Sequence, residues 1–173
     1  MNILLKDKSL LLFSIILFAG GMILGITLIL SVNTETAVLG MNSENYYDKR
    51  EGFEGSLFFF IQNLKVVLLL VSGILLFGIP TVPILFLNGL WLGGVLAGNY
   101  LSGMGVTELF LAVIPHGLFE IPALILAGYL GLYGLKFYTE KKSWKRLSYI
   151  VGSIVLLLFL ASFIEGFVTP KSI

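Results

Sequence analysis

The chain has 173 residues, 57% of them hydrophobic and 12% charged, with a formal net charge of +1 and a mean hydropathy of +0.99. A soluble domain carries roughly a quarter charged residues, so these values exclude a water-soluble fold and describe a chain that buries its surface in lipid. The absence of cysteine removes disulfides, thiolate metal sites and cysteine nucleophiles, and the near-neutral charge gives nucleic acid nothing to bind.

A spanning helix needs about 20 largely apolar residues to cross roughly 30 Å of hydrocarbon. The first such run is Ser9 to Val32, behind Lys6 and Lys8. It outlasts the apolar core of a signal peptide, and Phe18-Ala19-Gly20-Gly21 is a poor cleavage site, so it reads as a retained helix. A hydrophilic segment over residues 33–55 follows, carrying Glu35, Glu44, Asp48, Lys49, Arg50, Glu51 and Glu54, and is read as a loop or short surface helix. The second span is expected over 56–77, ended by Pro80 and Pro83, and the third over 84–101. The stretch 106–138 is long for one straight span and short for two. Pro115, Gly117 and Pro122 interrupt it, which predicts a helix broken or kinked near Pro115, or one with a short re-entrant first piece. The last span is expected over 147–168. The fold class that follows is an all-α bundle of about five transmembrane helices forming one membrane domain over 1–173.

Basic residues near the span ends predict orientation. With the N-terminus cytoplasmic, the inner side holds Lys6, Lys8, Lys136, Lys141, Lys142, Lys145 and Arg146, and the outer side only Lys49, Arg50 and Lys171. The C-terminus is then extracytoplasmic. The basic segment 136–146 would lie against the anionic inner leaflet.

Ionisable or strongly polar groups inside apolar spans are costly and mark interiors, cavities or contacts. Asn63, Lys65, Asn88, Asn99, Glu108, His116, Glu120 and Glu165 are such groups. Asn63, Lys65, His116, Glu120 and Glu165 fall in the outer half of the expected topology, with Asn88 nearer the inner third, so one polar cluster could gather most of them. His116 and Glu120 are one helical turn apart, on a face continued by the small residues Ala123, Ala127 and Gly131, which would let a neighbouring helix approach. Two readings stand beside each other: a neutralised hydrogen-bonded knot of His116, Glu120 and Lys65, or a proton, ion or metal site with His116 and Glu120 as ligands. Asn88 is expected to bond across to another helix. Gly21 and Gly25, Gly89 and Gly93, and Gly94 and Gly98 show the spacing of close helix crossings. Neither a nucleophile elbow nor a nucleotide-binding glycine loop is present, so no catalysis and no cofactor are expected.

The run Ile114-Pro115-His116-Gly117 through Glu120-Ile121-Pro122-Ala123, with Phe60-Ile61-Gln62-Asn63, Asn88-Gly89 and Phe163 to Pro170, resembles the stage II sporulation protein M family over most of the chain. The chain departs from the family pattern at Leu64, where a second Asn often follows the first. The resemblance implies a non-catalytic multi-pass membrane protein. In spore formers such proteins anchor and localise a complex with the D and P stage II sporulation proteins, which degrade septal peptidoglycan. Relatives in circular-bacteriocin clusters look like parts of maturation, export or immunity machinery. The partners implied are membrane lipid and other membrane proteins: peptidoglycan hydrolases on the first reading, an ATPase on the second, with a second copy of the chain also open.

Overall fold

A computed structural model describes residues 7–31, 51–137 and 144–168, and these form helices and turns only. In chain order they are α1 (Lys8–Ser31), α2 (Gly52–Val71), a short 3-10 turn (Ser72–Ile74), α3 (Thr81–Leu101), α4 (Val106–Phe137) and α5 (Trp144–Phe167). All 5 α-helices are long and apolar enough to cross a membrane. The hydrophilic segment expected over 33–55 lies outside the described residues as far as position 50, as do Lys6, Lys141, Lys142 and Lys171.

Glycine determines how the helices meet. Inside a bilayer the hydrophobic effect does not drive helices together, so association depends on close packing. α1 and α3 make the most extensive pairing in the bundle. A Cβ placed on Gly21 or Gly25 would strike the backbone carbonyl of Phe86 or Leu90, and one placed on Gly89 or Gly93 would strike that of Phe18 or Met22. The contacts rise together along both helices, so α1 and α3 run parallel, backbone against backbone. α2 and α5 run antiparallel: Gly166 of α5 touches Gly52 and Ser56 of α2, and the Ser56 hydroxyl donates to the Ser162 carbonyl at 2.9 Å.

The α2–α3 connection folds against the far third of α4. α2 gives way to the 3-10 turn at Ser72, several residues before the expected end at Phe77. Phe77 and Gly78 then adopt left-handed backbone, with φ of 53° and 75°. Pro83 does not end a span but sits in the first turn of α3, where its missing N–H is no loss. The Thr81 hydroxyl donates to the Leu70 carbonyl at 2.9 Å and is fully buried, tying the start of α3 to the end of α2. Gly131 and Gly134 of α4 receive this corner: Gly131 touches the Leu70 carbonyl and Thr81, and Gly134 touches Gly73 and Ile74. Replacing Thr81 with valine keeps the shape but leaves the bond unmade. Chemical denaturation in detergent should register a loss of about 1–2 kcal/mol.

Of the expected break or kink in α4, the break is absent: residues 106–137 are α-helical throughout, with Pro115 and Pro122 inside. Each proline deletes one backbone donor, freeing the carbonyls of Leu111 and Leu118, but both residues lie on the outer surface, and packing along the opposite side holds the helix in one piece. Its membrane-spanning part, Val106–Gly134, has 29 residues, about 44 Å of helix, so it must tilt or project from the hydrocarbon. The core centres on α4, where Ala123, Ala127, Tyr129 and Leu130 pack with Leu70, Leu85, Ile154 and Leu158. At the end of the bundle where α1 begins, Lys136 pairs with Asp7 at 2.8 Å.

Candidate functional site

Polar residues of the spans divide into four local arrangements rather than one cluster. Glu108 caps a helix: as the third residue of α4 it accepts a hydrogen bond from the Gly105 N–H at 2.9 Å, the reciprocal half of a capping box. Asn88 does not reach another helix. Its amide donates to the Ile84 carbonyl one turn back at 2.7 Å, and Asn99 does the same with Val95 at 3.0 Å. A bond already made within the helix leaves these side chains little reason to cross to a neighbour.

His116 and Glu120 are half-buried on α4. Glu165 is half-buried near the end of α5, the helix that packs beside α4. Glu120 and Glu165 thus form an acidic pair only in the sense of two half-buried carboxyl groups on adjacent helices. Gly117 is buried, Pro115 half-buried and Pro122 exposed. Beyond the pair, Ala123 and Ala127 are completely buried, and Gly131 meets the α2–α3 corner. Gly89 and Gly93 lie at the α1–α3 seam, apart from this region. Among the described residues no group of three or more His, Asp or Glu side chains gathers at metal-binding spacing.

Lys65 stands away from the pair. One of the two readings of the sequence puts it in a knot with His116 and Glu120, but it points outward from α2 and donates to Gln62 Oε1 at 3.1 Å, and Gln62 is exposed as well. Asn63, between them, is half-buried. The reason is helical geometry: positions 62 and 65 share a face that the bundle leaves uncovered, and side chains lean toward the helix N-terminus. A lysine near a helix centre costs about 2.5–3.5 kcal/mol on insertion-based scales, so an outward lysine there is a marked feature.

Sequence reasoning missed Asp7, hidden between two lysines, and the buried hydroxyls of Ser56 and Thr81. A hydroxyl within an apolar run was the available signal, since such groups in lipid seek a carbonyl.

These features define an all-helical, five-span membrane protein whose interior is closed by glycine seams, with a carboxyl pair between two helices and a cation on an outward face. The chain belongs to the stage II sporulation protein M family, whose profile matches residues 12–170. It is also similar to an uncharacterized protein of Methanocaldococcus jannaschii, 27% identical over 169 residues that cover 91% of this chain and 92% of that one. No solved structure matches it.

Proposed function

We propose that the protein is a non-enzymatic membrane scaffold that anchors and localises partner proteins, of the kind that holds a septal peptidoglycan-degrading complex during engulfment. The observation that carries this reading is the backbone-to-backbone closure of α1 on α3 and of α4 on the α2–α3 corner. Helices closed on each other in this way leave their outward apolar sides as the surface for contact. The basic residues near the span ends support a cytoplasmic N-terminus and an extracytoplasmic C-terminus. The archaeal relative is alignable along almost the whole chain, which supports a role that resides in the bundle as a whole.

The acidic pair favours a second reading, a component of a transport or export system, in which Glu120 and Glu165 would lie along a wet pathway. Crosslinking and affinity purification from native membranes, followed by mass spectrometry, separates the two. A scaffold should bring down peptidoglycan hydrolases, and Glu120→Gln should leave their recovery unchanged. Recovery of an ATPase or a peptide precursor, with flux abolished by Glu120→Gln, would overturn the scaffold in favour of export.

A further inference from the structure

The outward face of α2 is an apolar stripe, Leu57, Ile61, Leu68 and Leu69, with one cation in it, Lys65. The α2 span, Gly52–Ile74, has 23 residues. Lys65 therefore sits about 20 Å from its start and about 14 Å from its end, close to the middle of the hydrocarbon.

A lysine at this depth ordinarily lowers its cost by extending along the helix toward the nearer water. Lys65 instead follows the common lean of helical side chains toward the N-terminus. The nearer end lies C-terminal to it, whereas its ammonium is held toward Gln62, three residues N-terminal. The charge is directed along the longer route, and among the described residues its partner is a neutral amide that supplies no counter-charge. Among the described residues the Gln62 amide N–H₂ has no hydrogen-bond acceptor, which leaves a further donor beside the ammonium.

We infer that the α2 face around Lys65 docks a membrane span of a partner protein that carries an aspartate or glutamate near its middle. The apolar stripe supplies packing on either side of the ion pair. The carboxylate accepts from Lys65 Nζ and from the Gln62 amide, so both donors are satisfied at one point. Among the described residues a second copy of this chain fits less well: the exposed carboxylates Glu51, Glu54 and Glu108 stand at helix ends, Glu165 is half-buried near the end of α5, and the mid-span Glu120 is half-buried on α4. The phosphate of a lipid lies at the membrane surface, too far from a residue at this depth.

This inference rests on the reading of the chain as a scaffold, and its test tells the two apart. A photoreactive side chain is placed at Ile61 or Leu68 of the full-length protein in its native membranes, with Leu156 on the outward face of α5 as the control position. Irradiation should join positions 61 and 68, but not 156, to a span with a central Asp or Glu. The yield should fall at least about tenfold in Lys65→Glu, where like charges now face each other. It should persist in Lys65→Arg and return in Lys65→Glu when the partner's carboxylate is exchanged for lysine. Because Lys65 is exposed, Lys65→Glu should keep the wild-type unfolding midpoint, which separates lost docking from lost folding. Capture of a second copy, capture of spans without an acidic residue, or an unchanged yield in Lys65→Glu would each overturn the inference. If Lys65→Glu still recovers the wild-type partners on affinity purification, the docking site fails and the scaffold stands. If the wild-type chain recovers no membrane protein, both fail.

Discussion

Gly21→Leu will detach α1 from α3 and cost about 3 kcal/mol or more, while Gly20→Leu, one residue earlier, will cost less than about 0.5 kcal/mol. The contrast comes from what each position faces. A Cβ on Gly21 meets the Phe86 carbonyl and the backbone of Leu90, neither of which can move without displacing α3, whereas nothing lies within 4 Å of Gly20. Leucine at position 20 projects into lipid, where it is as apolar as its surroundings. Leucine at position 21 forces the two helices apart along their length, because Gly25, Gly89 and Gly93 depend on the same close approach. Titration of the purified protein with a denaturing detergent, followed by helical content and by a cysteine crosslink across the α1–α3 seam, will read both effects. Loss of the crosslink with helix content retained will show that the seam has opened and the helices have not melted.

A similar contrast holds at the α2–α3 corner. Gly131→Leu will destabilise the protein by about 3 kcal/mol or more, because its side chain would enter the space occupied by the Leu70 carbonyl and the Thr81 hydroxyl, the two partners of one buried hydrogen bond. The damage therefore exceeds a local clash: it parts α2 from α3 and lifts both from α4. Gly128→Ala meets first the Leu85 side chain rather than backbone, so a side chain in the core and not a helix must give way, and the substitution will cost less than Gly131→Leu, about 1–2 kcal/mol. Protease sensitivity of the α2–α3 connection in native membranes checks the difference: Gly131→Leu should expose that corner to cleavage, and Gly128→Ala should leave it as resistant as the wild type.

The five spans were legible because hydropathy over some twenty residues is a property of each segment alone. Ends were less so. Phe77 continues the apolar run of α2, yet the chain has already turned at Ser72, since the turn is dictated by where α4 offers Gly131 and Gly134. The expectation of a broken or kinked α4 rests on two prolines and a glycine within a stretch too long for one straight span. In the bundle, Pro115 and Pro122 free carbonyls on the outer side while the packed side keeps the helix continuous. Glycine spacing marked Gly21, Gly25, Gly89 and Gly93 as candidates for close crossings, but spacing within one helix cannot name the mate, and the pairing of α1 with α3 emerges only in three dimensions.

The polar residues divide in the same way. His116 and Glu120 share a face by virtue of their spacing, which sequence supplies. The approach of Glu165 needs the α4–α5 packing. Lys65 was assigned to an interior knot on the sound premise that a buried charge seeks a partner, but which side of α2 faces the bundle is set by Val67 and Leu70, which are buried, and that turns Lys65 outward. Asn88 illustrates a competing local solution, since the carbonyl one turn back is always within reach.

The parallel match of α1 with α3 has a consequence for the order in which the protein can be made. Parallel neighbours in a membrane cannot be consecutive, so α2 must be threaded in the opposite sense before the mate of α1 begins at Thr81. During synthesis α1 is therefore a solitary helix, its glycine side wetted by acyl chains and its other side already at home among them. The most extensive seam can thus close only when α3 is in place, yet ahead of every seam that needs α4 or α5, and it closes by squeezing lipid out from between the two helices.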